Sequence, residues 1–292
     1  MASKYMEAVN QYPDMIPKAF DQWLRAFGIQ EEIAPILFTV ISWVKIASPP
    51  EATPKQLALA CMDLAVSFFY LDDYQDEDYQ ELLDDFSRNL AGESPKTLRP
   101  IVIAHANLLQ QFWALGQPMD YFLEWRQKLL TEYSFRNRVI RGEEKVDFQR
   151  YMECRRTTIY VDGWFGLWLL LENIQLTASE RCTLASTEAL KLLTTFHIFD
   201  NELHSIDRDI SSSVPNLVVL LSNEQSVSLN AAVLKLTQTL DEVKRSFIKA
   251  TNILLASSST ENLHRCSQIL RCSFDSAIAA SRENQKRYVQ PG

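Results

Sequence analysis

Glycine is scarce in this chain: seven residues in 292, about 2% against a usual ~7%. Glycine supplies tight turns, hairpins and phosphate-cradling loops. Its scarcity argues against a strand-rich fold and against nucleotide loops, and neither GxGxxG nor GxxxxGK occurs. Cysteine gives no framework either. The five (Cys61, Cys154, Cys182, Cys266 and Cys272) form no CxxC or CxxxC pair, so they read as buried thiols of a reducing compartment and not as a zinc site or disulfide frame. Basic charge is in deficit, with a net charge of −8, and no nucleic-acid partner is expected. Long apolar runs are missing too. The stretch from Ile33 to Ile46 falls short of the ~20 residues of a membrane span, and Pro35 and Lys45 interrupt it. With no apolar signal core near the N-terminus, these absences predict a soluble cytoplasmic protein without a membrane span.

What is present is helical periodicity. Phe20, Trp23, Leu24 and Phe27 fall at i, i+3, i+4 and i+7. A second apolar pattern runs from Ile36 to Val44 and stops at Ser48-Pro49-Pro50. Thr53-Pro54 reads as an N-cap followed by proline at the first helical position, opening a long apolar pattern that runs into acidic residues at Asp72. Further helices are expected near 96–115, 118–141, 145–172, 177–208, 226–257 and 260–288. The connectors are short, no window alternates as a strand does, and no repeat is detectable. One all-α domain, 1–292, is the expectation.

The acidic stretch reads Asp72-Asp73-Tyr74-Gln75-Asp76-Glu77-Asp78. At ~100° per residue a continuing helix puts Asp72 and Asp76 on one face, with Asp73 on the neighbouring edge. Like carboxylates at that spacing repel, so the cluster makes most sense beside a cation. Oxygen-only ligands suit Mg²⁺, which keeps several waters and binds substrate phosphates. The bland alternative is a solvated, frayed helix end. Farther on, Asn201, Ser205 and Asp209 recur every fourth residue and line one stripe across two turns. They offer an amide oxygen, a hydroxyl and a carboxylate, all hard donors. The competing explanation is a helix that ends there, with serines as caps.

Together these motifs resemble class I terpene synthases of microbial, single-domain type. Asp72-Asp73-x-x-Asp76-Glu77 is similar to the aspartate-rich metal motif of that family, and Asn201-x-x-x-Ser205-x-x-x-Asp209 to its second metal motif. Tyr151 to Thr158 is similar to the diphosphate-sensing segment, Pro215-Asn216-Leu217-Val218 to the stretch after the second motif, and Arg287-Tyr288 to the closing Arg-Tyr pair.

The resemblance implies a helical bundle around a central cavity. It also implies ionisation of an allylic prenyl diphosphate, most often farnesyl diphosphate, and cyclisation of the cation to a sesquiterpene. Three Mg²⁺ ions, or Mn²⁺ in their place, would be held by Asp72, with Asp73, Asp76 and Glu77 in support, and by Asn201, Ser205 and Asp209. Arg156 would sense the diphosphate, with Arg155 as rival, while Arg208, Arg287 and Tyr288 would donate to phosphate oxygens. Phe68, Phe69 and Phe196 are placed to line the cavity, since aromatic faces stabilise a cation without reacting with it. Homodimers are common among such proteins.

Three departures stand out. Glu202 replaces the usual Asp, and Ser281 stands where many members carry a Trp. Ile159-Tyr160 lacks the glycine at which the sensor helix usually breaks, which leads to the expectation of a break displaced toward Gly163 and Gly166. Alternatives of other kinds are a mono- or diterpene synthase, a chain-elongating prenyltransferase, which would need a second DDxxD, and a non-catalytic helical binding protein.

Overall fold

The structure, a computed structural model, describes residues 4–11, 15–73, 76–212 and 214–288; the side chains of Ala8, Gln11, Asp73 and residues 279–288 are outside the description. No strand occurs among the described residues, and the chain is all-α. It forms two compact units: Met1–Ser134 with Leu170–Asn173, and Phe135–Leu169 with Ile174–Gly292.

The first unit holds α1 (Lys4–Gln11), α2 (Lys18–Phe27), α3 (Gln30–Ile33), α4 (Leu37–Ala47), α5 (Pro54–Leu64), α6 (Tyr70–Asp73), α7 (Tyr79–Leu90), α8 (Pro100–Trp113) and the start of α9 (Asp120–Ile140). The cap expected at Thr53 forms. Its side chain accepts from the Gln56 N–H while the Gln56 side chain accepts from the Thr53 N–H, and Pro54 opens the helix. Every residue from Ala58 to Leu64 is buried, the signature of a helix surrounded on all sides. Asp63 among them is matched by an ion pair with Arg126 of α9, both nearly inaccessible to solvent. A π-helical segment, Ala65–Phe69, follows α5 directly. Its wider turn changes the register between the apolar pattern of α5 and the residues that follow. Asp85 of α7 ties down the loop before α8, accepting from the N–H of Lys96 and Thr97 and from the Thr97 hydroxyl.

The second unit contains the end of α9, α10 (Phe148–Thr158), α11 (Val161–Leu171, whose last residues belong to the first unit), α12 (Ala178–Ser186), α13 (Ala189–Ser211), α14 (Leu217–Gln225), α15 (Leu229–Ser257) and α16 (Glu261–Tyr288). Its core includes Tyr151 and Met152 of α10, Ile198 and Phe199 of α13, Leu217, Val218 and Leu221 of α14, and Ala232 and Leu236 of α15. An aromatic row runs from Phe196 through Phe274 to Phe247, with centroids 4.9 and 4.5 Å apart.

Two of the expected helical stretches are broken. The stretch 145–172 breaks at Ile159-Tyr160, where buried Tyr160 adopts φ +70°. Gly163 and Gly166 lie inside α11, so the expected displacement of the break toward them does not occur. The stretch 177–208 breaks at Thr187-Glu188, with Glu188 at φ +55°. Left-handed backbone at a residue with a Cβ costs roughly 1–2 kcal/mol, so packing around the break and not local preference fixes Tyr160. Of the cysteines, Cys61, Cys154 and Cys266 are buried, but Cys182 is exposed, against expectation. Among the described residues, no single helix is long and apolar enough to cross a membrane.

Candidate functional site

In the first unit, α6 carries Asp72 immediately after the π-helical segment. Its anchor is explicit: Leu71 is buried, and the buried Tyr79 hydroxyl donates to the Leu71 carbonyl at 2.8 Å. Asp72 is half-buried. The described part of α6 runs to Asp73, residues 74 and 75 lie outside the described ones, and Asp76 lies in an exposed bend, not in a helix. The shared helix face expected for Asp72 and Asp76 is therefore not formed. The Asp73 side chain lies outside the described ones. Phe68 and Phe69 are half-buried, with centroids 4.7 Å apart, and the Phe68 carbonyl accepts from the Tyr133 hydroxyl at 3.5 Å.

The second unit brings several sequence motifs together. Asn201, Ser205 and Asp209 all lie on the uninterrupted α13, with Ser205 and Asp209 buried and Asn201 exposed. The Ser205 hydroxyl donates to Asp209 Oδ2 at 2.5 Å. Arg155 of α10 is buried and reaches the same helix twice, donating from Nε to Glu202 Oε1 at 2.8 Å and from Nη2 to Asn201 Oδ1 at 2.7 Å. Its Nη1 donates to the Thr158 hydroxyl at 3.3 Å. Arg156, one residue on, is exposed. The helix turn separates the two guanidinium groups, and it is Arg155 that meets the second motif.

Glu202 is the second anchor. Its Oε2 accepts from the Leu217 N–H at 2.8 Å, so one carboxylate joins α10, α13 and the start of α14. Burial pushes this carboxyl above its ordinary range, against the pull of Arg155 and of the Leu217 N–H. The loop before α14 is tied down further. The Tyr151 hydroxyl donates to the Pro215 carbonyl at 2.6 Å, and the Val214 N–H donates to the Asp209 carbonyl at 2.9 Å. The motif sequence reasoning treated as a departure, Glu202, and the stretch it gave no role, Pro215 to Val218, thus form the framework of the cluster. The available signal was Asn216 directly before an apolar helical run, the place of an N-cap.

Arg208 is 63% exposed in its side chain and donates from Nε and Nη2 to Asp209 Oδ1 at 3.1 and 3.0 Å. Phe196 is buried in the aromatic row of the core. Trp164 and Trp168 are fully buried in a T-shaped pair, 5.7 Å apart. Arg287 and Tyr288 end α16, and their side chains lie outside the described ones.

The stripe on α13 fits a hard divalent cation by its donor chemistry. Amide, hydroxyl and carboxylate oxygens stand at one-turn intervals with no sulfur or imidazole among them. The Ser205 proton is directed at Asp209, which leaves a hydroxyl lone pair for a metal. Among the described residues, no group of three or more His, Cys, Asp or Glu side chains is placed to hold a metal.

The profile described as "Terpene synthase family 2, C-terminal metal binding" matches residues 63–246, and the chain belongs to that family. Its fold is that of class I terpene synthases. Solved structures with this fold include linalool/nerolidol synthase from Streptomyces clavuligerus, 19% identical, with a TM-score of 0.73 and coverage of 92% of this chain and 96% of that one. Germacradien-4-ol synthase from Streptomyces citricolor is 17% identical, with a TM-score of 0.69 and coverage of 95% and 93%. The 2-methylisoborneol synthase from Streptomyces coelicolor A3(2), in complex with Mg²⁺ and 2-fluoroneryl diphosphate, is 16% identical, with a TM-score of 0.71 and coverage of 99% and 94%. No curated protein matches the sequence.

Proposed function

We propose that the protein is a metal-dependent terpene synthase that ionises an allylic prenyl diphosphate and converts the resulting cation to a terpene. The observation that carries this reading is that Arg155 bonds Asn201 and Glu202 on the same helix that carries the buried Ser205–Asp209 pair, in a chain of a metal-binding terpene synthase family. The neighbour with Mg²⁺ and a diphosphate analogue bound supports it. Farnesyl diphosphate and a sesquiterpene product are the proposed pair, and the whole chain is proposed to act as one cytoplasmic catalytic domain.

Asn201, Ser205 and Asp209 would hold divalent metal through their oxygens, and Asp72 would do so from the aspartate-rich motif, with Asp73 and Asp76 in support. When bound, Mg²⁺ neutralises the charge that builds on a departing diphosphate. Arg155 would donate from its guanidinium to the diphosphate oxygens, a role that fits a planar fork. Its pairing with Glu202 holds that fork in place, which supports Arg155 over the exposed Arg156 as the proposed sensor. Arg208, Arg287 and Tyr288 are proposed as further donors. Phe68 and Phe69 are proposed to face the cation, and Phe196, in the aromatic row of the second unit, is proposed as part of the apolar lining.

The test is incubation of the purified protein with geranyl, farnesyl and geranylgeranyl diphosphates, each with Mg²⁺ or EDTA, and analysis of the extracts. Metal-dependent terpenes from one substrate support the reading. Elongated diphosphates on adding isopentenyl diphosphate would replace it with prenyl transfer.

A further inference from the structure

Asn216 sits at the point where the second metal motif meets α14. It is 1% exposed and has extended backbone, with φ −140° and ψ 136°. Its side-chain amide is used in full. Oδ1 accepts from the Val218 N–H at 2.9 Å, capping α14. Nδ2 donates to the Glu202 carbonyl at 2.9 Å and to Asp209 Oδ2 at 3.0 Å, and it stands 3.4 Å from Ser205 Oγ.

This changes what the two oxygens of Asp209 can do. Oδ2 takes both buried donors, the Ser205 hydroxyl and the Asn216 amide. Among the described residues, Oδ1 meets Arg208 alone, a side chain 63% exposed. A carboxylate gripped through one oxygen by two buried groups cannot rotate, so the other oxygen keeps one direction. Exposed ion pairs hold little energy, and Arg208 can therefore yield Oδ1 to a cation at small cost.

We propose that Asn216 is a positioning residue for metal binding: by fixing Asp209 through Oδ2, it selects Oδ1 as the oxygen offered to the metal and holds Ser205 beside it. The inference rests on the metal-binding reading above. Asn216 itself touches no reacting atom. Its amide supplies the outer support that metal ligands need, and loss of such a partner typically weakens metal binding by about 10–100-fold.

The test is calorimetric titration of Mg²⁺ into the protein with inorganic diphosphate present, well below the melting temperature. Asn216→Ser keeps an equally good helix cap but loses the Nδ2 contacts. It should bind Mg²⁺ roughly 10–100-fold more weakly than wild type. Thr251→Ala, which removes a buried hydroxyl bonded to the Phe247 carbonyl on α15, should melt lower and bind Mg²⁺ as wild type does. A purely structural role for Asn216 would lower the melting temperature while leaving the affinity of the folded protein within about twofold, and that result overturns the proposal. If Asn216→Ser does not fold by circular dichroism, Asn216→Asp decides through the same affinity measurement, since it keeps the volume and cap but turns the donor into an acceptor. Wild type that binds no Mg²⁺ with diphosphate overturns the metal reading itself, and the role of Asn216 with it.

Discussion

Arg155 and Asn201, 46 residues apart in sequence, are joined by a 2.7 Å hydrogen bond from Nη2 to Oδ1. The same guanidinium holds Glu202 at 2.8 Å, so the segment proposed to sense diphosphate and the segment proposed to bind metal form one polar cluster. That coupling has consequences for both activity and stability.

Arg155→Lys keeps a charge but cannot reach Asn201, Glu202 and a diphosphate with one ammonium group. Turnover of the preferred diphosphate should fall by about 10²–10³, the scale of losing one positioned donor at a developing anion. Arg156→Lys, at an exposed position, should change turnover by less than about fivefold. Equal losses from both variants would return the sensor to the surface of α10. Steady-state kinetics on the two proteins, with melting temperatures in parallel, separates these outcomes.

Glu202→Gln removes the anion from a buried ion pair and leaves Arg155 without its carboxylate. Breaking such a pair typically costs about 3–5 kcal/mol, seen as a lower midpoint in urea with an unchanged slope. A shift under about 1 kcal/mol would mean that the Leu217 N–H and the packing of α14 carry the anchor instead.

Acid should weaken the fold in a defined window. Burial pushes His105 down to about 3, helped by the nearby Arg126 charge, and burial pushes His197 down to about 4, against a hydrogen bond with the Ser273 backbone. His105 stacks on Phe86 with centroids 4.1 Å apart. Both rings are neutral in the fold, while in the unfolded chain they take up protons below ~6.5. The unfolded state then binds more protons, so stability falls as pH drops from ~6.5 toward these depressed values. Each histidine contributes a slope of roughly 1.4 kcal/mol per pH unit in that window. Urea unfolding at several pH values checks this. His105→Gln should be less stable at pH 7 but flatter between pH 6 and 4; an unchanged slope would remove His105 as a cause.

Much of this was readable from one-dimensional pattern, and the failures have physical reasons. Thr53-Pro54 announced a helix start because capping is a local affair of four residues, and the capping box forms as read. The stripe Asn201, Ser205, Asp209 lies on one helix as its four-residue spacing requires. Glycine content points to a break near Gly163 and Gly166, whereas tertiary packing holds a tyrosine at φ +70° at position 160. A common face for Asp72 and Asp76 requires the helix to continue through Asp76, and Asp76 lies in a bend instead. Arg155 could not be separated from Arg156 by periodicity, since neighbours differ by ~100° and only the position of α13 tells which one is covered.

The most direct measurement is the release of inorganic diphosphate from farnesyl diphosphate by the purified wild-type protein, with Mg²⁺ and with EDTA. Release that needs Mg²⁺, is abolished by EDTA and matches the terpene formed mole for mole is the expected result. No release from farnesyl, geranyl or geranylgeranyl diphosphate in the presence of Mg²⁺ would contradict the proposed activity.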